Sequence, residues 1–171
     1  MKYSRLLFIF VLFAVMGYGQ MDNQDTPLKV TLCDLYEHPG QYAGKMVAVR
    51  AGSVGGLSLE NTLHDSPTQP CLAYMRLTVE FPNGVKPAPS FQLVRDDSLR
   101  ELEDALHHGG AIHIDATYEG RFDPVFVWRD HKRIRVSQDE EAKGFGKKNE
   151  YDGRIVLRQV SGVWAKPLPR R

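Results

Sequence analysis

The chain has 171 residues, 22 Lys and Arg against 21 Asp and Glu, 42% hydrophobic and 10% aromatic residues, and two cysteines. That is enough for one globular core and short for two domains. It excludes a disordered chain, a collagen-like repeat, a coiled coil and a multi-span membrane protein.

Lys2 and Arg5, the apolar run Leu6 to Met16 and the small residues of Gly17-Tyr18-Gly19 have the layout of a secretory signal peptide cut before Gln20. An apolar stretch of about 11 to 14 residues is shorter than the roughly 20 that a bilayer helix needs. Residues 1–19 are therefore expected to be a signal peptide, 20–30 a flexible polar leader and 31–166 a single domain, exported to the periplasm or secreted. In an oxidising compartment, Cys33 and Cys71 are expected to form a disulfide, the alternative being two buried thiols. Closing a loop of about 39 residues would contribute roughly 3 to 4 kcal/mol in the chain-entropy account.

Thr31-Leu32-Cys33-Asp34 reads as a capping box opening a short helix that Pro39-Gly40 ends. Met46 to Val54 alternates, with Val47, Val49 and Ala51 on one side, and predicts a strand; Leu57 to Leu63 predicts a second and Cys71 to Phe81 a third. Phe91 to Val94 is a possible resumption of that third strand. Ser98-Leu99-Arg100-Glu101 reads as another capping box, Leu99, Leu102, Ala105 and Leu106 form a helical apolar stripe, and Gly109-Gly110 closes the helix. Ala111 to Glu119 alternates as a fourth strand, with Ile112, Ile114, Ala116 and Tyr118 inward and His113, Asp115 and Thr117 half-exposed. Arg154 to Trp164 is the fifth, with a slip in its spacing that predicts a bulge near Gln159. The order predicts a mainly β, α+β domain: a five-stranded OB-fold-like Greek-key barrel with a helix between strands three and four and a short N-terminal helix, the alternatives being a β-sandwich or another α+β domain.

Leu35-x-x-x-Pro39-x-x-Tyr42-x-Gly44-Lys45-x-Val47-x-Val49 resembles the opening of small exported bacterial OB-fold-like proteins, mostly uncharacterised. Lys143-Gly144-Phe145-Gly146 with Arg154 to Val160 looks like a second shared segment, so the two frame residues 31–164. The resemblance implies the fold and carries over no catalytic residue.

Charge is distributed unevenly. Residues 20–120 hold 7 Lys and Arg against 14 Asp and Glu, whereas residues 121–171 hold 13 against 7. The densest basic part follows Phe126 and comprises Trp128, Arg129, His131, Lys132, Arg133 and Arg135. It falls in the connection between strands four and five, read as a loop over 120–153, which borders the usual binding face of an OB-fold. Cations there would meet phosphate or carboxylate, and rings would stack on sugars or bases. The bland reading is a solvated loop whose charges pair with the acidic first half.

His113 and Asp115, two apart on a strand, with His64, offer the parts of a metal site, but no His-Glu-x-x-His spacing is present. Neither a Gly-x-Ser-x-Gly elbow nor a phosphate loop occurs. The expectation is therefore a non-enzymatic exported module of the cell envelope that recognises an anionic ligand, with no cofactor. Envelope glycans, lipid head groups or an acidic protein are the expected partners; nucleic acid is the weaker candidate. A metal-assisted hydrolase using His113, Asp115 and His64, and a structural or assembly partner, are the alternatives.

Overall fold

The structure, a computed structural model, describes residues 26–54, 56–60, 71–107 and 112–167. The expected signal peptide, most of the leader, His64 and the Gly109-Gly110 stop lie outside them. Among the described residues no helix is long and apolar enough to cross a membrane.

The chain is mainly β. Strand β1 (Leu28–Val30) precedes helices α1 (Leu32–Glu37) and α2 (Pro39–Tyr42), then β2 (Met46–Val54), β3 (Ser58–Glu60), β4 (Ala73–Tyr74) and β5 (Leu77–Glu80). Helix α3 (Asp97–His107) follows, then β6 (Ile112–Pro124), β7 (Phe126–Arg129), β8 (Lys132–Arg135) and β9 (Gly153–Pro167). A mixed six-stranded sheet has the order β1-β2-β3-β5-β9-β6, and β2 also pairs with β6, so the pairing returns to its start. A second sheet has the order β4-β7-β8.

The core follows from alternation. Val47, Val49 and Ala51 of β2 and Ile114, Ala116 and Tyr118 of β6 are buried, as their shared inward face predicts. Leu77 and Val79, Ile155 and Leu157 complete it from β5 and β9, while Leu32, Leu35, Tyr36, Leu99 and Leu102 bring the apolar sides of α1 and α3 to the same cluster. The β6–β9 pair shifts register twice, between Asp115 and Thr117 and between Glu119 and Gly120. The second shift lies beside Gln159, where the spacing slip pointed. It brings Gly120 so close to β9 that a Cβ there would fall on the Val156 carbonyl oxygen.

Several boundaries differ from expectation. Leu28–Val30, inside the expected leader, pairs in parallel with Val47–Val49. The Thr31/Asp34 capping box is present, but Pro39 begins a new helical turn instead of ending the structure, because proline lacks only an N–H that a first turn leaves unused. The cap of α3 is Asp96, whose Oδ1 accepts from the Leu99 amide at 3.0 Å, and not Ser98. That bond, first among its causes, holds the Asp96 carboxyl below its usual range. Phe91–Val94 forms no strand. The run 71–81 is cut in two at Met75-Arg76, and its halves enter different sheets.

Charged pairs stitch the sheet externally. Arg154, 8% exposed at its side chain, donates to Asp123 at 3.0 Å, to Glu80 at 2.9 Å and to the Lys86 carbonyl at 2.7 Å. Arg121 makes two bonds to Asp123 and one to the Pro87 carbonyl. Both arginines thereby pin the long β5–α3 connection to β6 and β9.

Cys33 and Cys71 are bonded to each other, which ties α1 to the start of β4. Replacing both by serine is expected to lower unfolding stability by about 3 kcal/mol, measured by chemical denaturation. Gly120→Ala is expected to cost about 1 to 3 kcal/mol through overpacking. Gly40→Ala, where a Cβ meets open space, is expected to be neutral or stabilising by up to about 1 kcal/mol.

Candidate ligand-binding face

The first half of the segment read as a loop over 120–153 is strand and hairpin. Strand β6 runs to Pro124, and β7 and β8 form a hairpin in which Phe126 pairs with Arg135, Val127 with Ile134, Trp128 with Arg133 and Arg129 with Lys132. Its turn is Asp130-His131, both with positive φ (48° and 62°), the backbone of a two-residue type I′ hairpin. Asp and His tolerate that left-handed region better than branched residues do. The turn escapes a search for Asn-Gly or Asp-Gly because its second residue is histidine.

Strand β4 adds to this hairpin, Tyr74 opposite Trp128 and Ala73 opposite Arg129. Directly opposed residues share a face, so Tyr74, Trp128 and Arg133 form one row, with Phe126 and Arg135 beside them. Val127 and Ala73 face the other way and are buried. The first face is open: Tyr74 is 50% exposed, Arg133 and Arg135 are exposed, and Phe126 and Trp128 are half-buried. Tyr74 and Trp128 stack with centroids 6.2 Å apart and planes at 28°. The guanidinium carbons of Arg133 and Arg135 lie 3.7 and 4.8 Å from the Phe126 ring centroid.

Beneath the rings is Asp152, fully buried. Its Oδ2 accepts from the Arg76 amide, Arg76 Nε and Trp128 Nε1, each at 3.1 Å. Its Oδ1 accepts from Arg133 Nε at 2.9 Å and Arg76 Nη2 at 3.3 Å. The Asp152 and Gly153 amides return bonds to the Arg76 carbonyl. Burial pushes the Asp152 carboxyl upward, but the bonds from Arg76 and Arg133 outweigh it, and the group rests below the usual carboxylate range.

The six residues singled out from the sequence thus separate. Trp128, Arg133 and Arg135 share the open face, where Arg135 also donates to the Asp139 carbonyl at 2.7 Å. Arg129 lies on the opposite side and donates to the Glu37 carbonyl at the end of α1. Lys132 pairs with Arg129 and is exposed, and His131 sits in the turn. Sequence reading did not assign Tyr74, Arg76 or Asp152 to the site. Tyr74 and Arg76 stand two apart, a same-face spacing on extended chain, which is the signal available for them.

The metal reading fares differently. His113 and Asp115, expected half-exposed, are buried at 6% and 1% exposure. Arg50 lies over Asp115 as its ion pair and donates to the Gly162 carbonyl at 3.1 Å, and Trp164 meets His113 edge-on with centroids 6.2 Å apart. Cross-strand neighbours on β2 and β9, which alternation within β6 does not reveal, cover that side. Among the described residues no three His, Cys, Asp or Glu side chains gather as a metal site. Lys143 and Lys147 are exposed, and Phe145 of the Lys-Gly-Phe-Gly segment lies under Arg154, whose guanidinium carbon is 4.3 Å from its centroid.

Comparison with protein-family models, with curated proteins and with solved structures gives no match.

Asp152→Asn is expected to destabilise the fold by on the order of 3 kcal/mol at pH 7, the low end for breaking a buried pair, because both guanidinia still reach water. A carboxyl with a lowered folded pKa contributes stability that is complete above the unfolded value of about 4 and is lost as pH falls through the folded value. The gap between the two proteins, measured by thermal unfolding, should therefore narrow as pH is taken from 7 to about 3.

Proposed function

We propose that the chain is an exported, non-enzymatic binding module: a closed OB-like barrel whose accessory three-stranded sheet recognises an anionic ligand. Supporting the barrel, the pairings β2–β3, β3–β5, β5–β9, β9–β6 and β6–β2 close a ring, with β5 and β9 parallel. Counted along the chain this is the order 1-2-3-5-4, and α3 lies between the third and fourth members. The β7–β8 hairpin occupies the connection between the fourth and fifth, the one that flanks the binding face of OB-folds. Export is supported by the basic and apolar start of the sequence and by a disulfide, a bond at home in oxidising compartments.

The observation that carries the reading is the row Tyr74–Trp128–Arg133 with Phe126 and Arg135 on one open face. Rings supply flat apolar surface to sugars or other planar groups, and guanidinia supply paired donors for phosphate, sulfate or carboxylate. Asp152 fixes Trp128 and Arg133 in place, so less side-chain entropy is lost when a ligand arrives. Arg76 and Arg133 share the one carboxylate of Asp152, and Arg135 over the Phe126 ring adds a further cation, which leaves the face positive.

The test is titration of the mature protein with envelope polysaccharides, anionic-lipid vesicles, an acidic peptide and oligonucleotides at two salt concentrations. Binding that weakens with salt is expected. Tyr74→Ala is expected to weaken it about fivefold or more, from a lost stacking contribution of about 1 kcal/mol or more. Absence of binding to every anion, or binding indifferent to salt and to Tyr74→Ala, would refute the reading.

A further inference from the structure

Among the described residues strand β8 has one partner, β7. In a two-residue hairpin the residues flanking the turn form a hydrogen-bonded pair, so Lys132 and Ile134 turn their backbone groups toward β7. The Val136 amide continues that series, donating to the Val125 carbonyl at 2.9 Å. The N–H and C=O of Arg133 and Arg135 then point the other way, to the free edge of the sheet. All four residues of β8 are exposed, Ile134 by 43%. Unpaired backbone at an edge is a template for another extended chain.

We propose that this edge takes up an extended acidic polypeptide segment as a fourth strand of the β4–β7–β8 sheet, lying beside the guanidinium and aromatic face. This names the partner class of the face described above and rests on that reading. Charge decides the occupant. A second copy of β8 paired on this edge would set Lys132, Arg133 and Arg135 against the same cations, and like charges facing each other across a ladder repel. An acidic strand reverses the sign: alternate carboxylates come within reach of Arg135 and of the part of Arg133 not bound to Asp152. Backbone bonds supply affinity with little dependence on sequence, and the side-chain charges supply the selection.

The probe is a capped ten-residue peptide of alternating Glu and Thr, titrated into the intact mature protein, with the Lys/Thr peptide as control. The Glu peptide should bind, the Lys peptide should not, and the Arg133 and Arg135 amides should shift and become protected from exchange by NMR. N-methylation at two adjacent central residues blocks both edges of the peptide and should weaken binding at least tenfold. Arg135→Ala should weaken it several-fold and Arg135→Pro, which also removes an outward N–H, further. Equal binding of the methylated peptide would overturn strand addition while leaving the face as an anion site. So would capture of polysaccharide or anionic vesicles without the peptide. Failure to bind any of these anions would overturn both readings.

Discussion

A single buried carboxylate joins the two sheets. Asp152 stands one residue before β9, the longest strand of the main sheet, and grips Arg76, the last residue before β5, through both backbone and side chain. From the same two oxygens it holds Trp128 and Arg133 of the hairpin. A carboxylate taken out of water is costly unless its lone pairs are filled, and here five N–H donors from three residues fill them. Because those donors come from β7, β8 and the β4–β5 junction, satisfying the charge and orienting the small sheet are one event. The break at Met75-Arg76 has the same origin: the chain leaves one sheet and enters the other where its amide and carbonyl are both taken by Asp152 and Gly153.

Ion pairing also explains what becomes of the uneven charge. The acidic first half and basic second half meet across the main sheet, as Arg154 with Glu80 and Arg158 with Glu119. Other pairs close within a half, Arg50 with Asp115 and Arg121 with Asp123. These contacts sit on partly covered surfaces, where screening is reduced and hydrogen-bonded geometry matters more than charge count. The bland expectation concerns the cations of the 120–153 segment, and there Arg121 pairs with Asp123 and Arg133 with Asp152, both acids of the second half. Arg135 donates to the Asp139 carbonyl, and Lys132 is exposed on the hairpin.

What could be read from the sequence follows the range of the interactions involved. The β2 and β6 alternation, the α1 capping box and the helical stripe of α3 are local patterns, and all three appear where their residues place them. The hairpin was hidden because Asp130-His131 is a poor statistical match to a type I′ turn, although Phe126, Trp128, Arg133 and Arg135 alternate correctly on either side. The burial of His113 and Asp115 depends on Trp164 of β9 and on Arg50 of β2, 51 and 65 positions away, and no periodicity within β6 encodes it. Asp152 was the hardest residue to foresee: an isolated acid before a strand reads as solvated, and its partners lie 19, 24 and 76 positions away.

On the proposed reading, the charge balance of the face restricts the kind of anion that would suit it. Proteins that hold a nucleic-acid backbone commonly neutralise about 6 to 10 phosphates along a basic stripe. Here the open face offers three guanidinia, and Asp152 already accepts from two of them, so long-range attraction is modest and contact chemistry must supply the rest. That chemistry is local: ring surface from Tyr74, Trp128 and Phe126, and donors held in fixed orientation. Guanidinia already braced by a carboxylate and a ring lose little freedom on binding, but they also have few N–H groups left to give. A ligand with sparse, well-spaced negative groups and flat or extended surface between them fits this balance better than a uniformly charged polymer does.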